Sequence, residues 1–321
     1  MSIKPQKVLV TGGAGYIGSH MVYKLLEAGH QPVIVDILSK TRKSLAPDGV
    51  PLYVFNIHQK SKLNQLLKTE KFDVIMHFAA SIEARESVLK PEKYYQNNFV
   101  NMLNLLEAAY KNKINYFIFS STAAIFGDPL DYLINESHIK NPINPYGKSK
   151  LMCENVLKDY DIAYGLKFAC LRYFNAAGAD PLLRTGYHLK NDTHLIPRAV
   201  KAALKNKILE VYGDCIRDYI HVMDLCDAHL LTMNYLIQNN KSLEYNLGNG
   251  QGFSIKQVIH AIEKITQKKI KIKNLPQYKS DPAILCADSS LIKKELNWTP
   301  RYSDLESILQ HSIAWEEKND S

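Results

Sequence analysis

A tyrosine and a lysine lie four positions apart in INPYGKSKLMCE, residues 143–154. The preceding Asn144 and Pro145 predict a helix start, so Tyr146 and Lys150 would lie on one face of one helical turn. A free phenol has a pKa of about 10 and is a weak base at neutral pH. A unit positive charge ~4 Å away contributes roughly 4 kcal/mol at an effective dielectric near ~20, or about three pKa units. We therefore predict that Lys150 lowers the pKa of Tyr146 to about 7, so that the phenol serves as a general base.

A relay hydroxyl is expected at the end of a neighbouring strand. The apolar run YFIFSS, residues 116–121, is followed directly by Thr122. Ligands of α/β sheets bind at the carboxyl ends of the strands, so a hydroxyl at Ser121 or Thr122 is placed to pass a proton between a substrate alcohol and Tyr146. A tyrosine and a lysine at this spacing are usually surface residues. They indicate chemistry only together with a dinucleotide fold.

A glycine-rich turn provides that context in VLVTGGAGYIGSH, residues 8–20. Gly12, Gly15 and Gly18 follow a predicted strand and open a helix, so backbone N–H groups and the helix dipole face a pyrophosphate. Asp36 ends the second strand, where a carboxylate accepts hydrogen bonds from ribose hydroxyls and repels the 2′-phosphate of NADP. We therefore predict NAD, whose cationic nicotinamide would lower the pKa of Tyr146 further. Three nearby cations keep NADP open as an alternative: Lys40, Arg42 and Lys43.

Short apolar runs alternate with amphipathic helical stretches in the first half of the chain. The runs are residues 7–11, 32–36, 51–55, 73–78, 116–121 and 167–174. This pattern is typical of an α/β fold with a doubly wound parallel (Rossmann) sheet that is buried on both faces. The alternation breaks after Asn175, which predicts a smaller mixed α/β substrate-binding lobe. We assign residues 1–175 and about 217–240 to an NAD-binding Rossmann domain, and residues 176–216 and 241–321 to the lobe.

The composition excludes several classes of protein. Of the 321 residues, 46% are hydrophobic and 22% are charged, as in an ordinary globular enzyme, and we expect neither a signal sequence nor a membrane span. Five cysteines are scattered without C-x-x-C spacing, so we expect no disulfide framework, no metal site and a cytoplasmic location. The net charge of +8 is densest in QKKIKIK, residues 267–273, which alternates like an exposed edge strand and lacks aromatic residues that stack on bases. We expect neither a nucleic acid nor a membrane as a partner.

Four motifs together resemble the extended short-chain dehydrogenase/reductase family: TGGAGYIG (11–18), HFAA (77–80), SST (120–122) and YGKSK (146–150). Within that family, KPEKYYQNN, LRYFNAAGADP, HLIPRAV and RDYIHVMDL are similar to the UDP-glucose 4-epimerases, and such motifs cover nearly the whole chain. The resemblance implies an isomerase of galactose and general carbohydrate metabolism. In such an enzyme NAD takes a hydride from C4 of a UDP-hexose. The 4-keto sugar then turns and takes the hydride back on its other face.

The resemblance also implies roles for individual residues. Tyr146 would accept the proton of the sugar O4, with Lys150 and Thr122 assisting it. The NAD site would comprise Gly12, Gly15, Tyr16, Ile17, Gly18, Asp36, Asn56, Ile57, Phe78, Ala79, Ala80, Asn98, Ser120, Tyr146, Lys150 and Tyr173. The UDP-sugar site would comprise Thr122, Tyr146, Asn175, His194, Leu195, Tyr212, Arg217 and Asp281. Arg217 is expected to be the one guanidinium that pairs with the diphosphate. Homodimers would form through the helices near residues 91–110 and 145–162.

Several alternatives stay open at this point. Related sugar-nucleotide dehydratases carry an Asp-Glu pair where this chain has Ala123 and Ala124, which favours epimerisation over elimination. Leu285 lies where glucose-restricted epimerases often carry a larger side chain, so UDP-hexoses and UDP-N-acetylhexosamines both remain as substrates. A net sugar-nucleotide dehydrogenase or reductase and a non-catalytic NAD-binding regulator are the remaining hypotheses. Lys279 stands where epimerases commonly have arginines, and the loop at 214–217 is short, which together predict weaker UDP binding.

Overall fold

A computed structural model describes residues 4–38, 45–188, 193–276, 278 and 281–320. In chain order the strands are β1 (Lys7–Thr11), β2 (Gln31–Asp36), β3 (Leu52–Val54), β4 (Val74–His77), β5 (Tyr116–Thr122), β6 (Leu133–Ile134), β7 (Lys167–Tyr173), β8 (Asn175–Ala177), β9 (Ile208–Tyr212), β10 (Ile216–His221), β11 (Leu243–Leu247), β12 (Gly252–Ser254), β13 (Lys271–Leu275) and β14 (Ile284–Ala287). The α-helices are α1 (Tyr16–Glu27), α2 (Lys60–Glu70), α3 (Ala84–Leu89), α4 (Pro91–Tyr94), α5 (Asn101–Lys111), α6 (Pro145–Tyr164), α7 (Leu195–Leu204), α8 (Val222–Asn239), α9 (Ile255–Thr266), α10 (Ser290–Leu296) and α11 (Leu305–Asp320). A π-helical turn (Tyr95–Val100) and a 3₁₀ turn (Ala123–Phe126) lie beside the site.

Seven parallel strands form the central sheet, in the order β11-β7-β5-β4-β1-β2-β3. Successive side chains of a strand point to opposite faces, and helices cover both faces of this sheet. Val8 and Val10 pack with α1 and α8 on one face, whereas Leu9 packs with α2, α5 and α6 on the other. The strands are almost uniformly apolar because neither face meets water. The predicted fold class, a doubly wound parallel sheet, is confirmed.

The second lobe contains two smaller sheets. Strands β12, β10, β14 and β6 are neighbours in that order, with β8 paired to β10, and β9 pairs in parallel with β13. Helices α7, α9 and α11 bury Ile196, Val258 and Leu309 in a core of their own. The lysine-rich stretch 267–273 overlaps β13, which is largely exposed, as an edge strand should be.

Two strands lie on the other side of the predicted domain boundaries. The segment 217–240 is predicted in the first domain, but β10 lies in the second lobe, where the buried carboxylate of Asp218 accepts hydrogen bonds from the N–H groups of Asn249, Gly250 and Ala287 at 2.9–3.0 Å. Its helix, α8, does pack against α1 of the central sheet. Conversely, β11 falls in the predicted lobe 241–321 but pairs with β7 and completes the central sheet. Which ligand each lobe binds remains a prediction.

The stretch 91–110 is predicted as one amphipathic helix, but it divides into α4, the π-helical turn and α5. Such turns are rare and frequently occur at functional sites. Here the Asn98 side chain accepts a hydrogen bond from the Ser81 N–H at 2.8 Å and donates to the Ser81 carbonyl at 3.0 Å and the Ser149 hydroxyl at 3.2 Å. The turn therefore fixes the loop after β4 against α6.

The remaining features concern membranes, thiols and metals. No helix in the described ranges is long and apolar enough to cross a membrane. All five cysteines are buried and carry free thiols. The described part of the chain contains no group of three or more side chains that could together hold a metal ion.

Candidate active site

A cavity of about 1190 Å³ lies between the carboxyl edge of the central sheet and the second lobe. Pockets for one small molecule usually measure about 300–1,000 Å³, so there is room for a dinucleotide and a second ligand. The residues predicted for the dinucleotide that line this cavity are Gly12, Gly15, Tyr16, Ile17, Gly18, Asp36, Asn56, Ile57, Phe78, Ala79, Ala80, Ser120, Tyr146, Lys150 and Tyr173. Those predicted for the substrate that line it are Thr122, Tyr146, Asn175, His194, Leu195, Tyr212, Arg217 and Asp281.

The glycine turn between β1 and α1 forms one end of the cavity. Gly12 has φ +73°, a left-handed conformation, and a Cβ there would lie 2.6 Å from the Ala79 nitrogen. A Cβ on Gly18 would lie 2.2 Å from the Gly12 carbonyl oxygen, so these two glycines allow the turn to close. A Cβ on Gly15 would meet only the Gly12 oxygen, at 3.1 Å. Its remaining space opens toward the cavity, which fits the close approach of a pyrophosphate.

Asp36 forms the neighbouring wall at the end of β2. Its carboxylate accepts hydrogen bonds from the Ala14 N–H at 3.1 Å and the Leu38 N–H at 2.8 Å, which hold it at the cavity surface. A 2′-phosphate would meet this negative charge, whereas ribose hydroxyls would donate to it, so the donor set fits NAD. The cations that kept NADP open (Lys40, Arg42 and Lys43) lie outside the described residues.

The candidate catalytic residues Tyr146 and Thr122 lie where β5 leads into the 3₁₀ turn and where α6 begins. The Asn144 side chain caps α6 by accepting from the Gly147 N–H at 2.9 Å, which places Tyr146 in the first turn. Thr122 lies close enough to the phenol of Tyr146 for hydrogen bonding between them to lower the pKa of Tyr146. The Ser121 hydroxyl donates to Glu154 at 2.6 Å. Both residues line the cavity, but the Ser121 hydroxyl is engaged by Glu154, so Thr122 is the hydroxyl that can act on the phenol.

The pKa of Tyr146 differs from the predicted value. Burial raises the pKa of Tyr146 to about 12; the hydrogen bond with Thr122 opposes this increase, and the negative charge of Glu83 adds to it. The Lys150 ammonium donates to the Ser120 carbonyl at 2.7 Å and lies 4.5 Å from the Phe119 ring centroid. Burial lowers the pKa of Lys150 to about 8. The prediction that Lys150 brings the pKa of Tyr146 to about 7 is wrong for this structure, because burial of the phenol is the largest effect on this pKa and raises it.

The second lobe contributes polar side chains to the cavity wall. The Asn175 side chain donates to the Asp218 carbonyl at 3.2 Å, and the His194 Nδ1 lies 3.0 Å from the Tyr187 hydroxyl. Arg217 donates to the Ile216 carbonyl at 2.8 Å through Nη1. These contacts orient the side chains along the cavity wall. Lys279, which is predicted to weaken UDP binding, lies outside the described residues.

A second guanidinium also reaches the cavity. Arg85 belongs to α3, beyond the loop that follows β4, and its Nη2 donates to the Asp281 carboxylate at 2.7 Å. Arg217 is therefore one of at least three guanidiniums that line the cavity, with Arg85 and Arg198, and its pairing with the diphosphate stays a prediction. The available signal was position: Arg85 follows a strand whose carboxyl end faces the ligands.

Comparison with known proteins identifies the family. The model of the NAD dependent epimerase/dehydratase family matches residues 8–248, well over half of the chain. The chain belongs to this family. A UDP-glucose 4-epimerase of Azospirillum brasilense is 42% identical over an alignment of 319 residues, and the match covers 97% of this chain and 92% of that protein.

Solved structures of epimerase/dehydratase relatives agree with this assignment. The crystal structure of UDP-glucose 4-epimerase from Brucella ovis in complex with NAD has a TM-score of 0.92 and 39% identity, and the match covers 96% of this chain and 98% of that one. The UDP-Glc/GlcNAc 4-epimerase from Campylobacter jejuni has a TM-score of 0.85 and 41% identity, with 98% and 99% covered. The resemblance to the UDP-glucose 4-epimerases is confirmed.

The epimerase/dehydratase family contains two chemistries, and the 3₁₀ turn bears on which one this chain performs. Elimination of a hydroxyl needs an acid and a base beside the sugar. Ala123 and Ala124, where the family resemblance implies an Asp-Glu pair in dehydratases, both line the cavity. These two side chains can neither donate nor accept a proton, so the geometry favours oxidation and re-reduction at one carbon.

Three residues that this family resemblance places against NAD are held by the protein itself. Asn98 is buried, lies outside the cavity lining and binds Ser81, whereas its neighbour Asn97 lines the cavity. Direct contact of Asn98 with NAD is therefore not supported, because both ends of its amide are engaged by the protein. The Tyr173 hydroxyl bonds to His229, and the Tyr16 hydroxyl donates to the Gly178 carbonyl at 2.7 Å. Both tyrosines present their rings to the cavity.

Proposed function

We propose that this protein is an NAD-dependent isomerase that interconverts UDP-glucose and UDP-galactose by transient oxidation at C4. One observation carries the proposal: the glycine turn and Asp36 line the same continuous cavity as Tyr146 and Thr122. A hydride acceptor and a sugar alcohol can therefore meet inside it. The UDP-glucose 4-epimerases found among its relatives support the same reaction.

The residues of this chain divide the chemistry as follows. NAD⁺, held by Gly12, Gly15, Gly18 and Asp36, supplies a two-electron acceptor when it is bound. The phenol of Tyr146 accepts the proton of the sugar O4 during oxidation and returns it during reduction.

Two side chains orient that proton acceptor. The Thr122 hydroxyl stabilises the deprotonated phenol, and the lowering of the Tyr146 pKa by hydrogen bonding with Thr122 supports this role. Lys150 is held by the Ser120 carbonyl at 2.7 Å and places a positive charge in the same wall. The burial that raises the pKa of the phenol also keeps water away from the oxidised sugar.

The nucleotide half of the substrate would supply most of the binding free energy. Arg217 provides charge-assisted donors for a diphosphate, and Asn175 and Asp281 provide polar groups for the nucleoside. The sugar itself must rotate between oxidation and reduction, so few contacts should hold it in place. We assign NAD to the central-sheet lobe and the UDP-sugar to the lobe that contains β9, β10 and β14.

A UDP-N-acetylhexosamine is the second candidate substrate. The Campylobacter relative is named as acting on both the glucose and N-acetylglucosamine forms, at 41% identity. In this chain Leu285 lines the cavity and packs with Ala123, Ile125 and Phe126, which makes an apolar wall of moderate width. The plain hexose remains the main proposal.

The decisive test supplies the purified protein with UDP-galactose and UDP-N-acetylgalactosamine in separate reactions and identifies the products. Conversion of UDP-galactose to UDP-glucose, with NAD retained through gel filtration and no net absorbance change at 340 nm, supports the epimerase. Net NADH formation would instead identify a dehydrogenase. Failure to convert either sugar would support a non-catalytic NAD-binding regulator.

The variant Tyr146→Phe tests the assigned base. We expect turnover to fall by about 10²–10⁴, the usual contribution of general acid–base catalysis, while NAD and UDP still bind. Loss of both ligands together with activity would show that the residue is structural. Turnover close to that of the wild type would exclude Tyr146 as the base.

We also propose that the protein forms a homodimer through the helices near 91–110 and 145–162 and that it works in the cytoplasm. Apolar side chains on these helices are exposed, among them Val100, Tyr110, Met152 and Ile162. Five buried free thiols suit a reducing compartment.

A further inference from the structure

Arg85 joins the two lobes across the cavity. It lies on α3, beside the central sheet, whereas its partners belong to the second lobe. Its Nη2 and Nε both donate to Asp281 Oδ2, at 2.7 and 3.3 Å, across 196 positions of sequence. Its guanidinium also lies over the rings of Tyr212 and Tyr278, with its central carbon 4.6 and 4.0 Å from their centroids. We define these four residues as the interlobe clasp.

We propose that the interlobe clasp retains the sugar nucleotide during turnover, with Arg85 as its positioning residue. The inference deepens the proposed function and rests on it, because retention matters when an oxidised sugar has to stay in the cavity and be reduced again. Tyr212 and Asp281 line the cavity from the second lobe, and Arg85 lines it from the first. The Arg85 side chain contacts both of them.

The geometry of the contacts suits a role in holding two walls together. A planar guanidinium can stack on aromatic faces while its edge donates to a carboxylate, and both occur here. The rings of Tyr212 and Tyr278 lie 4.9 Å apart, so one cation contacts both and fixes their spacing. The Arg85 side chain is 42% exposed and that of Asp281 is 18% exposed. The clasp therefore lies at the cavity rim, where it can separate and re-form without unfolding either core.

The contacts that retain the sugar nucleotide have to lie outside the sugar site. A sugar that turns between two half-reactions cannot be held tightly by Tyr146 and Thr122. If it left as the 4-keto UDP-sugar, it would have lost a hydride and a proton, and the two electrons would remain on the cofactor. The enzyme would then hold NADH and could not complete another cycle with a fresh alcohol. Contacts that slow the departure of the nucleotide prevent this loss.

The test compares Arg85→Met and Arg85→Lys with the matched control Lys111→Met in the NAD-loaded protein. Lys111 forms an exposed ion pair with Glu107 at 2.6 Å on α5, away from the cavity lining. Titration calorimetry measures the Kd of UDP without turnover, and initial rates give kcat and KM for UDP-galactose. Absorbance at 340 nm follows reduced cofactor that accumulates during turnover. Thermal denaturation checks that each variant is folded.

For Arg85→Met we expect UDP to bind about tenfold more weakly, equivalent to ~1.4 kcal/mol, with a similar rise in KM and little change in kcat. Absorbance at 340 nm should grow with successive turnovers. Arg85→Lys keeps the charge but loses the planar stacking, so it should lie between the wild type and Arg85→Met. Lys111→Met should match the wild type in all four measurements.

Wild-type affinity for UDP in both Arg85 variants, or no accumulation of reduced cofactor, would overturn the proposal. A fall in kcat with unchanged UDP affinity would also overturn it, because it would place Arg85 in the chemical step. If Arg85→Met does not fold, Arg85→Lys carries the comparison. Failure of the wild type to epimerise would contradict the proposed function alone, since the UDP affinities still test whether the clasp retains the nucleotide.

Discussion

Thr122 and Glu83 act on the phenol of Tyr146 in opposite directions. The hydrogen bond with Thr122 lowers the pKa of the phenol, and the carboxylate of Glu83 raises it. Because burial has already raised this pKa to about 12, small changes in either neighbour alter the fraction of phenolate at neutral pH.

The pH–rate profile should therefore respond to both residues. Proton acceptance needs the deprotonated phenol, so the rate rises with pH as Tyr146 loses its proton. We expect Thr122→Val to raise the pKa, move the rising limb to higher pH and slow turnover at pH 7 by about tenfold, the value of one ~1.4 kcal/mol hydrogen bond. Glu83→Gln should move the same limb to lower pH. Ser121→Ala is the control, because that hydroxyl bonds to Glu154, outside the site. Identical profiles for all three variants would contradict this account of the base.

Lys150 should lower the free energy of unfolding at neutral pH. Its pKa is lowered to about 8, so below pH 8 the fold holds a charge that the unfolded chain, at about 10.5, carries more easily. Between these values the unfolded state binds more protons, and the free energy of unfolding rises with pH. We expect Lys150→Met to lose turnover yet be more stable at pH 7, by up to about 3 kcal/mol, in urea denaturation of the NAD-free protein. That difference should shrink toward pH 10. A variant that is less stable at pH 7, with the pH dependence of the wild type, would contradict the prediction.

At the scale of the element, the glycines of the β1–α1 turn have two roles. Gly12 and Gly18 let the backbone close, whereas Gly15 leaves space for the ligand. Gly12→Ala places a Cβ in a left-handed conformation and against Ala79, which should cost at least ~1–2 kcal/mol of unfolding free energy. Gly15 has φ −77°, and a Cβ there would meet only one oxygen, so Gly15→Ala should lower the free energy of unfolding by less than ~1 kcal/mol. The variant should nevertheless lose NAD on gel filtration. Urea denaturation and the NAD content of each variant test the pair. Equal losses of stability would show that Gly15, too, is a backbone requirement.

Element types could be predicted from sequence where the burial of an element is uniform. The strands of the central sheet are apolar because both faces are covered, and the glycines and Asp36 follow at fixed spacings. The π-helical turn at 95–100 could not be predicted, because its residues keep the apolar spacing of a helix. At this turn Asn98 contacts Ser81, a partner 17 positions away that the local spacing does not reveal. The positions of β10 and β11 likewise depend on partners distant in sequence, such as Asp218 with Ala287.

At the scale of the whole molecule, the site was predictable to the extent that its residues carry local motifs. Tyr146, Lys150 and Thr122 belong to short patterns, and all three line the cavity. Arg85 belongs to no motif, and its partner Asp281 lies 196 positions away. The pKa of Tyr146 was mispredicted for a related reason: the sequence supplies the charge of Lys150, but the cost of burial depends on everything that packs around the phenol.

The proposed homodimer depends on apolar surface that stays exposed in the single chain. Helix α6 exposes 36% of Met152 and 86% of Ile162, and the neighbouring stretch 91–110 exposes Val100 and Tyr110. Burying such side chains against a second copy would stabilise the pair, since stable interfaces remove roughly 1,200–2,000 Å² from water. We expect the wild type to sediment as a dimer and Met152→Glu/Ile162→Glu to sediment as a monomer, because each charge would have to be desolvated at the interface. Leu130→Glu is the control, since that leucine is fully exposed outside these helices. A dimer that survives the double substitution would place the interface elsewhere, and a monomeric wild type would refute the assembly itself.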